Sequence, residues 1–80
     1  MNTTQIRENI NKIIESVLKI DKNLIKETDS PETISEWNSL SHVILIDKIE
    51  KLFLISFNFD ELIEIETVLD LYNITEYKLK

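Results

Sequence analysis

Few side chains in this sequence are of a type and spacing that could do chemistry. There is no cysteine, which removes a thiolate nucleophile, a thiolate metal site and a disulfide framework together. His42 is the only histidine, and no group of carboxylates has the spacing of a ligand set, so no resident metal is expected. Ser39 and His42 stand three residues apart on one predicted helix with no oxyanion loop, which does not suit a Ser-His-Asp arrangement. Glycine is absent, so no glycine-rich loop can cradle a phosphate. No pair of acids announces general acid-base work. His42 projects toward the core side of its helix and is expected to be a packed or capping side chain. What remains is Ser39, a hydroxyl where a long irregular segment meets an amphipathic helix. A serine in that position serves as an N-cap, its oxygen satisfying a free backbone N–H.

The elements that must hold Ser39 follow from the apolar periodicity. Ile6, Ile10, Ile13, Ile14, Val17 and Leu18 recur every three or four residues and predict a first helix, capped by Thr3 or Thr4. From about Ile20 to Asn38 no period persists, and Asp21, Asn23, Thr28, Asp29, Ser30, Pro31, Thr33 and Ser35 favour turns. Leu24, Ile25, Ile34 and Trp37 are expected to pin this long loop to the core. A second helix is predicted over Ser39–Phe53. At 100° per residue, Leu45, Ile46, Ile49, Leu52 and Phe53 gather on a core face, whereas Leu40, Val43 and Ile44 fall opposite, with Asp47 and Lys51. An apolar patch beside Ser39 therefore either faces a partner or is covered by the long loop. Asp60 is expected to cap a short helix reaching Ile65. Thr67 is expected to cap a last helix with Val68, Leu71, Tyr72 and Thr75 inward. The fold class is all-α: a small bundle of three main helices plus one short helix, with a long loop between helices one and two. Residues 1–80 form one domain.

Composition narrows the partners. No apolar run approaches the roughly 20 residues that span a bilayer, and the N-terminus lacks the pattern of a secretion signal. A cytoplasmic monomer is expected. Net charge is −6; residues 1–26 carry +2, residues 27–66 carry −8 and the remainder is neutral. So acidic a middle repels nucleic acid and anionic lipid and suits basic protein surfaces.

The segment Glu36-Trp37-Asn38-Ser39-Leu40-Ser41-His42-Val43 closely resembles the attachment segment of acyl carrier proteins, whose core pattern is Asp-Ser-Leu followed by a small or acidic residue and an apolar helix. The resemblance covers nearly the whole chain: the first helix, the long loop, Glu50-Lys51-Leu52-Phe53, the segment from Phe57 to Ile65, and Glu66-Thr67-Val68-Leu69-Asp70-Leu71-Tyr72 fall in the family's order. It implies a carrier that is not itself an enzyme. Ser39 would receive 4′-phosphopantetheine from coenzyme A through a separate, Mg²⁺-dependent phosphopantetheinyl transferase, and the terminal thiol would hold acyl intermediates as thioesters. Acyl-loading and acyl-processing enzymes would be the partners, meeting Leu40, Val43, Ile44, Asp47 and Glu50. The missing cysteine agrees, because the working thiol belongs to the prosthetic group.

Three features depart from the family's usual pattern. Asn38 replaces the aspartate before the serine, Lys48 and Lys51 dilute the acidity of helix two, and Ile44 is aliphatic where carriers of primary fatty-acid biosynthesis have a polar residue. They point to a specialised lipid or polyketide-type pathway. An aminoacyl, peptidyl or D-alanyl carrier with the same arm remains open, as does a helical adaptor that is never modified and in which Ser39 is only a cap.

Overall fold

The computed structural model describes residues 1–80 and is all-helical. Helix α1 spans Thr3–Leu18, a 3₁₀ turn Lys22–Leu24, α2 Ser39–Phe53, α3 Phe59–Glu64 and α4 Val68–Lys78. The expected bundle of three longer helices and one short one, with a long loop after the first, is what forms. No helix is long and apolar enough to cross a membrane.

The periodic leucines and isoleucines make the core. Ile10, Ile14 and Leu18 of α1, Leu45 and Ile49 of α2, and Val68 and Leu71 of α4 are fully buried, joined by Trp37, Ile34, Phe53 and Phe57. Each such aliphatic side chain contributes about 1.5–3 kcal/mol by leaving water. All four inward residues expected of α4 are buried: Val68, Leu71, Tyr72 and Thr75. Two expected core residues are not. Leu52 is 48% exposed, turned to the margin where α2 meets α1 beside Ile13. Leu24 is 71% exposed, because the 3₁₀ turn rotates it outward and leaves Ile25 to pack.

Three helix starts differ from the expected ones, all in the same way. The cap of α1 is Asn2, not Thr3 or Thr4; that of α2 is Asn38, not Ser39; that of α3 is Asn58, not Asp60. In each case the amide oxygen accepts an N–H three residues on, while the residue there returns a bond to the cap's own N–H. Asp60 instead lies in the first turn of α3, where a carboxylate favours the positive end of the helix dipole. Thr67 caps α4 as expected, reciprocally with Asp70. The C-terminal ends show what the absence of glycine entails. Lys19 and Leu54 both adopt left-handed backbone, with φ of 59° and 57°, at a cost of roughly 1 kcal/mol each.

The long loop is ordered by the helix it crosses. Asp29 and Glu27 carbonyls accept the N–H groups of Val68 and Leu69, each at 3.0 Å. These are donors at the start of α4 that have no partner within the helix. Ile34 and Trp37 then sink into the core and deliver the chain to Asn38.

Candidate functional site

Ser39 is the first residue of α2 and is exposed. Its surroundings are held by hydrogen bonds. The Asn38 side-chain oxygen accepts from the Leu40 and Ser41 N–H groups, both at 3.0 Å. The Ser41 hydroxyl accepts from the Asn38 N–H at 2.8 Å and donates to the Glu36 carbonyl at 2.7 Å. Ser41, though polar, is buried. This clamp holds the junction of loop and helix without using the Ser39 hydroxyl as the cap, leaving that oxygen at the positive end of a 15-residue helix, where phosphate is electrostatically favoured.

Trp37 and His42 form the second support. The Trp37 indole N–H donates to His42 Nδ1 at 3.0 Å, and the two rings stack with centroids 6.1 Å apart. An imidazole nitrogen that accepts carries no proton, so the neutral ring bears its hydrogen on Nε2. That atom lies 3.4 Å from the Leu62 carbonyl of α3. Both ring nitrogens thus face partners other than Ser39, and no general base is aimed at the serine hydroxyl.

Two depressions open beside this frame. One, of about 480 Å³, is bordered by Pro31, Asn38, Ser39, His42, Leu62 and Ile65. The other, about 470 Å³, runs between α2 and α3 and is lined by Val43, Ile46, Phe57, Phe59, Leu62 and Ile63, with His42, Asp47 and Glu50. Both fall in the size range of small-molecule sites. No group of three or more histidine, cysteine or carboxylate side chains comes together in a way that could hold a metal ion.

The expected outward patch is outward. Leu40 is 72% exposed, Val43 62% and Ile44 39%, so the long loop does not cover them. Asp47 is exposed and bonded to Lys51 at 2.9 Å, one turn on. Glu50 is half-buried, its carboxylate accepting the Phe57 N–H at 2.8 Å, so it braces the turn after α2 rather than standing free. Ser41 and the bonded pair Trp37 and His42 were not evident as functional supports from sequence. The spacing Asn38-x-x-Ser41 was the available signal for the first; nothing local signals the second, because it needs the loop to bury Trp37. Neither a scan against protein-family models nor a search of curated proteins finds a match to this chain.

Proposed function

We propose that the chain is an acyl carrier protein, with Ser39 the attachment point of a 4′-phosphopantetheine arm. The observation that carries this reading is an exposed serine at a helix start whose capping duty is taken by Asn38, beside an apolar groove. A mobile arm needs an accessible hydroxyl on a firm base, and the Asn38–Ser41 clamp supplies the base. The exposed Leu40, Val43 and Ile44, with Asp47, offer a surface for a partner enzyme that is apolar at its centre and basic at its rim. The Lys51–Asp47 pair lowers the acidity of that surface, which fits partners of a specialised pathway.

In the attachment step Ser39 Oγ forms a bond to the phosphorus that bears pantetheine. The diphosphate link of coenzyme A breaks, adenosine 3′,5′-bisphosphate leaves, and the hydroxyl proton passes to a base of the transferase. His42 is committed elsewhere, which supports an external base. Incubation with coenzyme A, Mg²⁺ and a broad-specificity transferase is expected to add one arm, seen by intact-protein mass and mapped to Ser39. Ser39→Ala should remain unmodified. No attachment with several transferases would leave the unmodified adaptor, and attachment to another residue would remove Ser39 as the site.

A further inference from the structure

We infer that the flank of α2 facing α1 docks an acidic amphipathic helix of a partner protein. The inference goes beyond the carrier reading and does not depend on the Ser39 hydroxyl. Where α1 and α2 meet, a depression of about 300 Å³ is lined by Asn9, Lys12, Ile13 and Ser16 of the first helix and by Lys48 and Leu52 of the second. No carboxylate lines it, although the chain has 15 acidic and only 9 basic side chains.

Charge divides along α2. Asp47 and Glu50 border the groove on the α3 side, whereas Lys48 borders the depression on the α1 side. The ion pairs of the fold engage Arg7, Lys51 and Lys78; none engages Lys12 or Lys48, both of which are exposed. Glu8, one turn before Lys12, shares a separate polar depression with it but makes no ion pair. Two ammonium groups on the border of one depression repel each other, and a carboxylate seated between them relieves that repulsion.

The apolar residues name the kind of carboxylate. Ile44, Lys48 and Leu52 recur at every fourth residue and so follow one line along α2, about 12 Å long at 1.5 Å per residue. Ile44 and Leu52 are exposed, and Ile13 is half-buried beside the lysines. A short helix with leucines on one face and glutamates at its margins fits an aliphatic strip edged by lysines. Nucleic acid or an anionic membrane fits less well. The strip offers nothing to phosphates, and the −8 charge of residues 27–66 repels an extended anionic surface. A short acidic segment meets only the two lysines.

The test uses the whole unmodified protein, labelled with ¹⁵N, and an amidated peptide of leucine, alanine and glutamate whose leucines form one helical face. Titration is expected to move the amides of Lys12, Ile13, Lys48 and Leu52 saturably, and to leave those of Phe59 and Ile63 in place. The same peptide with lysine in place of glutamate should not move that flank. Changing both lysines, Lys12→Gln with Lys48→Gln, should weaken binding at least about fivefold, as should added salt. Leu52→Ala should also weaken it while the melting temperature stays close to wild type, since the side chain is exposed. The inference is overturned if the acidic peptide at millimolar concentration moves nothing on this flank, or moves only α3. It is equally overturned if the double lysine variant binds as well as wild type. Phosphatidylserine vesicles that broaden the Lys12 and Lys48 signals where the peptide does not would assign the flank to a membrane and overturn the protein partner. Modification of Ser39, read by intact-protein mass, bears on none of these outcomes.

Discussion

The bundle has a closed seam and an open wall. Where α1 meets α4, Arg7 bonds Glu76 at 2.9 Å and approaches Glu27 of the loop at 3.5 Å. Its guanidinium also lies 4.9 Å from the Tyr72 ring centroid, and the Tyr72 hydroxyl donates to Asn11. Loop carbonyls close the start of α4 on the same side. Where α2 meets α3, the contact is the long His42–Leu62 approach, and Phe59 and Ile63 are 73% and 60% exposed. The fixed anchorage of α3 lies elsewhere, in the Lys78–Glu61 pair at 2.8 Å and its own Asn58 cap. Stability is concentrated in α1, α2 and α4, and the element with least of it borders the proposed site. Cooperative units of unequal stability are usual, and elements that move in function come from the weaker end.

The largest contrast should appear on truncating side chains on the two sides. Ile10→Ala or Leu71→Ala, both fully buried, should cost about 2–5 kcal/mol. Phe59→Ala and Ile63→Ala should stay within about 0.5 kcal/mol, as exposed substitutions do. Denaturant titration followed by circular dichroism measures both. Comparable losses at the two sets would mean that α3 belongs to the cooperative core and that the wall is not open.

At the helix start the effects are smaller but separate two roles. Asn38→Ala removes the cap and should cost about 1 kcal/mol, whereas Ser39→Ala, at an exposed first helical position, should change stability by no more than about 0.5 kcal/mol. Sequence alone suggests the reverse, with Ser39 as cap. A larger loss at Ser39 would return the capping role to it and weaken the case that its hydroxyl is free for attachment.

The closed seam carries one flaw. The Thr75 hydroxyl is buried among apolar neighbours without a hydrogen-bond partner. Thr75→Val, nearly the same shape, should raise stability by up to about 1 kcal/mol, since a buried unsatisfied polar group is a net penalty. A loss on thermal melting would reveal a partner such as an internal water.

What was legible in the sequence was whatever depends on period. The spacing of Ile6, Ile10, Ile14 and Leu18, the two faces of α2 and the inward set of α4 all follow from 3.6 residues per turn. The caps are legible in principle: Asn2-x-x-Gln5 and Asn58-x-x-Glu61 are reciprocal pairs, masked by the hydroxyl and carboxylate residues next to them that compete for the same duty. The marginal residues were not legible. Leu24 and Leu52 carry the same apolar signal as their buried neighbours, and only the packing partner, or its absence, decides their fate. The Trp37–His42 pair required the path of the loop, which no local pattern encodes.

The smallest expected effect is a difference in pH response between the two sides. The Lys78 ammonium, and after it the Asn58 N–H, bond the Glu61 carboxylate and hold it below the ordinary value of 4.5. A carboxyl whose folded value is depressed contributes stability above its unfolded value and loses it as pH falls through the folded one. The contribution at Glu61 is therefore present at neutral pH and fades below about pH 4.5, loosening the C-terminal end of α4 from α3. Tyr72 has the opposite sign. Burial raises its phenol above 10.0, against the lowering influence of the Arg7 charge, so its contribution persists until alkaline pH and is lost only above that value. Acid should therefore weaken the open wall before the Tyr72 seam, and alkali should reach the seam. Hydrogen exchange read by NMR between about pH 6 and 3 checks the first half. Protection of α3 amides, corrected for intrinsic exchange, should fall relative to that of Ile10 and Ile14, and Glu61→Gln should flatten much of that fall while leaving the α1 amides unchanged. If α3 and α1 lose protection in parallel, acid is acting on the bundle as a whole, and the division into seam and wall does not extend to its electrostatics.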